Sequence, residues 1–113
     1  MEHVIDAAHQ PLGRISSRIA SILQGKHGAD YNPRLPGRDR VTVKNAAKII
    51  VSGRKATEKK YYRHTGYMGH LRVRTFREAF ARAPDEVLRQ AVAHMLPKNR
   101  LRMNRLKRLL IER

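Results

Sequence analysis

Cysteine is absent from the sequence, so neither a disulfide framework nor a thiolate zinc site can form. No stretch approaches the ~18 consecutive apolar residues of a membrane span. The opening MEHVIDA also lacks the basic region and apolar run of a secretion signal. The chain is therefore expected to be soluble and non-secreted. Familiar enzyme motifs are missing as well: there is no HExxH, no GxSxG nucleophile elbow and no phosphate-binding GxxxxGKS or GxxxxGKT. His64 and His70 are close in sequence, but no carboxylate or thiol lies near them to complete a metal's ligand set. Both are expected to hydrogen-bond or stack beside phosphate, with no metal and no cofactor.

Acidic residues are the scarcest charged class. Nine Asp and Glu face 25 Lys and Arg, a formal net charge of +16 and a sequence pI near 11.4. Such an imbalance repels itself in a compact chain unless a polyanion neutralises it, which points to nucleic acid or an anionic membrane. The excess runs along the whole chain, as in a folded basic module and unlike a neutral domain with a charged tail. Hydrophobic residues make up 41% of 113 residues, enough for one core and too few residues for two well-buried ones. One domain spanning 1–113 is expected.

Residues 3–7, HVIDA, read as a first strand. Leu12, Ile15, Ile19, Ile22 and Leu23 then recur at helical spacing between Pro11 and Gly25, and belong in the core. Arg14 and Arg18 share the opposite face. Residues 26–40, with two glycines and two prolines, read as loop. Val41 and Val43 alternate with polar residues as a strand does, and the run Ile49, Ile50, Val51 suits a strand buried on both faces. Thr75 with Glu78 forms a capping-box pattern, and Phe76, Ala79 and Phe80 mark the helix face that follows. Pro84, Asp85 and Glu86 open another helix, with Val87, Leu88, Ala91, Val92 and Met95 as its buried stripe and Pro97 as its stop. The order of elements predicts a small α/β sheet with crossover connections.

Two segments concentrate the charge. A basic arm, about 54–75, holds Arg54, Lys55, Lys59, Lys60, Arg63, Arg72 and Arg74 against Glu58. If residues 60–64 and 71–75 are strands, GYMG forms the hairpin tip, with Gly66 and Gly69 allowing positive φ and close backbone approach. Adjacent Tyr61 and Tyr62 then face opposite ways: one can enter the core while the other meets a partner. Cations neutralise phosphates and rings stack on bases at about 1–3 kcal/mol each, so the mixture suits RNA. The second segment, about 97–113, sets Lys98, Arg100, Arg102, Arg105, Lys107, Arg108 and Arg113 against Glu112 alone. Folded as a helix, with Leu106, Leu109 and Leu110 on one side, it would need phosphates to relieve its repulsion. A membrane-surface helix fits less well, for want of an aromatic anchor.

PLGR at 11–14, GKH at 25–27, NA at 45–46, KYYRHTGYMG at 60–69 and MLPKNRL at 95–101 resemble, in order and spacing, the signatures of the bacterial large-subunit ribosomal protein thirteen family. The resemblance covers residues 4 to about 111. It implies a non-enzymatic structural protein, in the cytoplasm within the ribosome. Its partners would be large-subunit (23S-type) ribosomal RNA and neighbouring ribosomal proteins, with a role early in subunit assembly and no membrane or small-molecule substrate. It further implies a three-layer α/β/α domain on a short, mostly parallel four-stranded sheet, with the basic arm and C-terminal segment reaching along RNA. By position, Arg14, Lys26, His27, Lys60, Arg63, His64, Lys98 and Arg100 fall on the family's RNA-facing basic residues. From charge and exposure, Arg18, Arg54, Lys55, Lys59, Tyr62, Arg72, Arg74, Arg102, Arg105, Lys107 and Arg108 are expected to join them. The chain departs from the family's usual glycine at His70, His94 and Arg102, and from its methionine at Arg105; contacts made by longer tails are expected to be missing. Two rival readings are a free-standing nucleic-acid-binding regulator and an RNA-acting enzyme using His64 or His70 as acid or base.

Overall fold

The computed structural model describes residues 1–113. Three short strands, β1 (Glu2–Asp6), β2 (Arg40–Lys44) and β5 (Leu109–Ile111), form a parallel sheet with β2 in the centre. Helix α1 (Leu12–Gln24) connects β1 to β2. Between β2 and β5 run α2 (Lys55–Glu58), β3 (Lys60–His64), β4 (Leu71–Thr75), α3 (Phe76–Arg82), α4 (Pro84–Met95) and α5 (Leu101–Leu106). β3 and β4 form a separate antiparallel hairpin.

The register pairs Val43 with Ile5 on one side and Ile111 on the other, and Val41 with Leu109, so one sheet face is apolar and joins the core with α1 and α4. From α1 the core takes Leu12, Ile15, Ile19 and Leu23, all at most 5% exposed, as the helical spacing predicts. Val87, Leu88 and Val92 of α4 are buried with them. The stripe stops short of expectation, because Met95 near the helix end is 42% exposed, its Sδ accepting from the Ser17 hydroxyl at 3.3 Å. The opposite sheet face carries Val4 and Leu110, 62% and 57% exposed. The expected three layers therefore reduce here to a sheet with one covered face.

The expected fourth strand is also absent from the sheet. After β2, Asn45 takes a left-handed φ of 60° and turns the chain into a short 3-10 helix, Ala46–Lys48. Ile49 drops into the core, while Ile50 makes only an isolated bridge to Pro11. The last strand comes from the C-terminal segment, for which the sequence raises only a helix as an option. That segment instead divides into α5 and β5, with Leu109 buried and Leu110 exposed as strand alternation requires.

Local signals hold well. Gly25 closes α1 at φ 82°, donating to Ile22 O, while Lys26 N–H reaches back to Ser21 O; the left-handed position favours glycine. Thr75 Oγ1 accepts from Glu78 N–H at the start of α3. Thr75→Ala is expected to cost about 1 kcal/mol in urea unfolding, the usual loss for an N-cap hydroxyl. An unchanged midpoint would mean that the 3.4 Å bond contributes nothing.

Asp6 supports the turn after β2. Its Oδ1 accepts from Asn45 Nδ2 and from Ala8 N–H, both at 2.9 Å, and these bonds hold its carboxyl below the ordinary 3.8, against a smaller opposing effect of burial. A lowered folded-state pKa means that the unfolded chain takes up the proton first on acidification. The stabilisation is thus complete above pH 3.8 and disappears as pH falls through the lowered value. Asp6→Asn should therefore melt below the parent protein at pH 5, with the gap closing towards pH 2. A gap independent of pH would show that the carboxylate's charge is not what these bonds use.

Candidate nucleic-acid interface

The hairpin register decides what the basic arm presents. Tyr61 opposes Arg74 and Arg63 opposes Arg72, so these four share one face. Lys60, Tyr62 and His64 share the other with Val73 and Leu71. Tyr61 packs half-buried against the core and burial pushes its phenol pKa up, while Tyr62 is 64% exposed. The division expected from two adjacent tyrosines is what the structure holds. At the tip, Gly66 and Gly69 have φ of 93° and 74°, and Thr65 N–H pairs with His70 O across the turn. Gly66 N–H also donates to His64 Nδ1 at 3.0 Å, which leaves His64 Nε2 facing outward as a polar contact. Tyr67 and Met68 at the tip are among the most exposed side chains.

Like charges directly opposite each other destabilise an antiparallel pair, and Arg63–Arg72 is such a pair. The arm has one ion pair in return, Arg54–Glu58 at 3.8 Å and highly exposed, a geometry that contributes little. A cleft of about 650 Å³ separates the arginine face from α3 and α4, lined by Tyr61, Arg63, Arg72, Arg74, Arg82 and Glu86 among others. A second cleft, about 730 Å³, lies where the start of α1 meets Gly53, Arg54, Lys55, Lys59 and the end of α4. Lys59 Nζ also stands 5.5 Å from the Tyr61 ring centroid. Two concave, cation-lined surfaces thus flank the hairpin base.

The remaining candidates divide into free and engaged cations. Arg14, Arg18, Lys26, Lys98, Arg100 and Lys107 are exposed but line neither cleft, and Arg102 is half-buried. Arg105 and Arg108, expected to face RNA, are instead engaged within the fold, Arg105 fully buried and Arg108 partly so. Arg105 is 2% exposed; its Nη2 donates to Leu35 O at 3.1 Å and its Nε has no partner. Arg108 Nη1 donates to Asp39 O at 2.6 Å, and its Nη2 to Leu23 O at 2.9 Å and to Pro36 O. Both pin the 26–39 loop, because the C-terminal segment folds back beside α1 and β2. Desolvation lowers the Arg108 pKa, with the neighbouring Arg105 charge adding to it.

His27 is engaged as well, with Nε2 2.6 Å from Asp39 Oδ2. His3 Nε2 lies 3.0 Å from the same oxygen; this bond, more than any other, holds the Asp39 carboxyl below its ordinary range. Sequence reading missed His3, Asp39 and Arg82. Only His3 left a signal: it stands in the alternating position of Ile5, where an apolar residue is expected.

Fold and charge together define a small basic α/β protein with an exposed cationic hairpin. The family model described as Ribosomal protein L13 matches residues 1–111. The large ribosomal subunit protein uL13 of Chloroflexus aurantiacus is 45% identical over 109 residues, covering 96% of this chain and 76% of the relative. Those of Rubrobacter xylanophilus and Clostridioides difficile are 47% and 43% identical, covering 96% and 95% of this chain and 76% and 75% of themselves. The chain belongs to the ribosomal protein L13 family, whose members are structural proteins of the large subunit and not enzymes. As a ribosomal protein it acts in the cytoplasm, within the ribosome. No helix is long and apolar enough to cross a membrane.

Proposed function

We propose that residues 1–113 act as one domain that binds large-subunit ribosomal RNA, holds its segments together by charge neutralisation and shape, and supports early subunit assembly and translation. The observation that carries this reading is the hairpin's arginine face. Arg63 sits opposite Arg72 beside Arg74, without acidic partners, an arrangement that phosphates would relieve. Tyr62 and the hairpin tip supply exposed rings for unpaired nucleotides, the parts of folded RNA that side chains read most readily. Base-specific readout is minor, because folded RNA is recognised mainly through its backbone, 2′-hydroxyls and unpaired nucleotides. Neighbouring large-subunit proteins are the second partner class, supported by Val4 and Leu110 on the uncovered sheet face.

The test is binding to large-subunit ribosomal RNA fragments across a salt series. Six or more phosphate contacts would reduce affinity by about a thousandfold between 50 and 200 mM salt. An affinity nearly independent of salt refutes the mechanism. Gradient sedimentation at moderate salt then separates a constituent, which stays with large subunits, from a free regulator, which leaves them.

A further inference from the structure

We propose that His3, His27 and Asp39 form a binding site for a divalent transition-metal ion of the zinc class, on the side of the fold where β1, the turn after α1 and the start of β2 meet. The three side chains come from separate parts of the chain and converge on one point, their ligand atoms all within 4.8 Å of one another. Both imidazoles present Nε2, at 3.0 and 2.6 Å from the same carboxylate oxygen, Asp39 Oδ2. Their rings stand edge to face at 83° with centroids 5.2 Å apart, so the two nitrogens approach that oxygen from different directions.

Zinc takes imidazole nitrogen and carboxylate oxygen at about 2.0–2.2 Å, which places neighbouring ligand atoms of a tetrahedral site roughly 3.3 Å apart. The two nitrogen–oxygen separations lie within about 0.7 Å of that arrangement. The adjustment falls on His27, whose side chain is 39% exposed in the turn after α1 and has room to withdraw. Two imidazoles and one carboxylate suit zinc, copper or nickel better than magnesium or calcium, which prefer all-oxygen shells. Water completes the coordination. Two cations adjoin the site without holding the oxygen that would bind the ion: the Met1 ammonium lies 3.4 Å from Asp39 Oδ1, the other carboxylate oxygen, and Arg108 directs its guanidinium to the Asp39 main-chain carbonyl. A bound ion would tie β1 and β2 to the end of α1 and so stabilise the fold without touching the hairpin.

Two neutral imidazoles donating to one carboxylate would give the same distances without an ion, and zinc titration separates the two cases. Tag-free protein is titrated with zinc in competition with a chromophoric chelator. A Kd of about 10 µM or tighter is expected, with His3→Gln and His27→Gln each weakening it at least tenfold and His94→Gln, on the far end of α4, leaving it unchanged. Zinc at hundredfold excess over Kd should raise the parent's melting temperature by roughly 10 °C and leave that of His3→Gln unmoved. The melting temperature of His3→Gln without zinc shows whether that variant is folded; if it is not, His27→Gln, in an exposed turn, decides. Weaker binding by the parent, or equal affinity in the folded variant, overturns the assignment.

Discussion

Glutamine at Arg63, Arg72 and Arg74 together is expected to weaken binding to large-subunit ribosomal RNA by about 100-fold at 50 mM salt and to flatten the salt dependence. Each phosphate contact contributes about 0.9 to the slope of log affinity against log salt, so losing three should reduce it by up to about 2.7. The isolated variant should melt no lower than the parent, and somewhat higher. The Arg63–Arg72 opposition disappears, and cross-strand pairs of this kind are worth about 0.2–1 kcal/mol. That opposite movement of affinity and stability separates a binding role from damage to the fold. Unchanged affinity and slope by fluorescence anisotropy would sink the assignment of this face to RNA.

The other large effect concerns a cation that serves the fold. Arg108→Met should lower the unfolding free energy by about 2 kcal/mol or more, because the part-buried carbonyls of Leu23 and Asp39 lose their donor at once, at about 1–3 kcal/mol for each group left unpaired, while the exposed Pro36 carbonyl can turn to water. A domain of this size has about 5–15 kcal/mol in all, so the variant should unfold at a clearly lower urea concentration. Arg105→Met is the instructive contrast. It removes a buried guanidinium that satisfies one carbonyl and leaves its own Nε unpaired, and the thioether fills much of the same volume. Its cost should be small, or negative, since apolar replacement of a buried charge often stabilises. Equal losses for the two variants would mean that Arg105 is held more favourably than its contacts indicate.

These two arginines show where sequence reading reached its limit. Along the chain they are indistinguishable from Arg100 or Lys107, and charge alone does not reveal which cations turn inward. The resemblance to a family with methionine at the position of Arg105 was the available hint that the site is enclosed. The structure accounts for it, because α5 sets Arg105 against the 26–39 loop. The run Ile49–Val51 misled for a related reason, because three apolar residues fit a strand or a single buried anchor equally well, and Asn45's left-handed turn chose the latter.

What the sequence determined alone is everything set by near neighbours: the apolar stripe and glycine stop of α1, the Thr75 cap, the hairpin with its Gly66 and Gly69 tip, the outward turn of Tyr62 and the cationic excess. Each depends on spacing within a few residues, and local sterics and hydrogen bonding suffice to impose it. Only the tertiary structure decided that Leu109 completes the sheet beside Val41, that one sheet face stays open, that Arg105 and Arg108 fasten a loop, and that His3 and His27 meet on Asp39. Those outcomes join segments far apart in the chain, and short polar stretches carry no periodicity that says which distant segment they will meet.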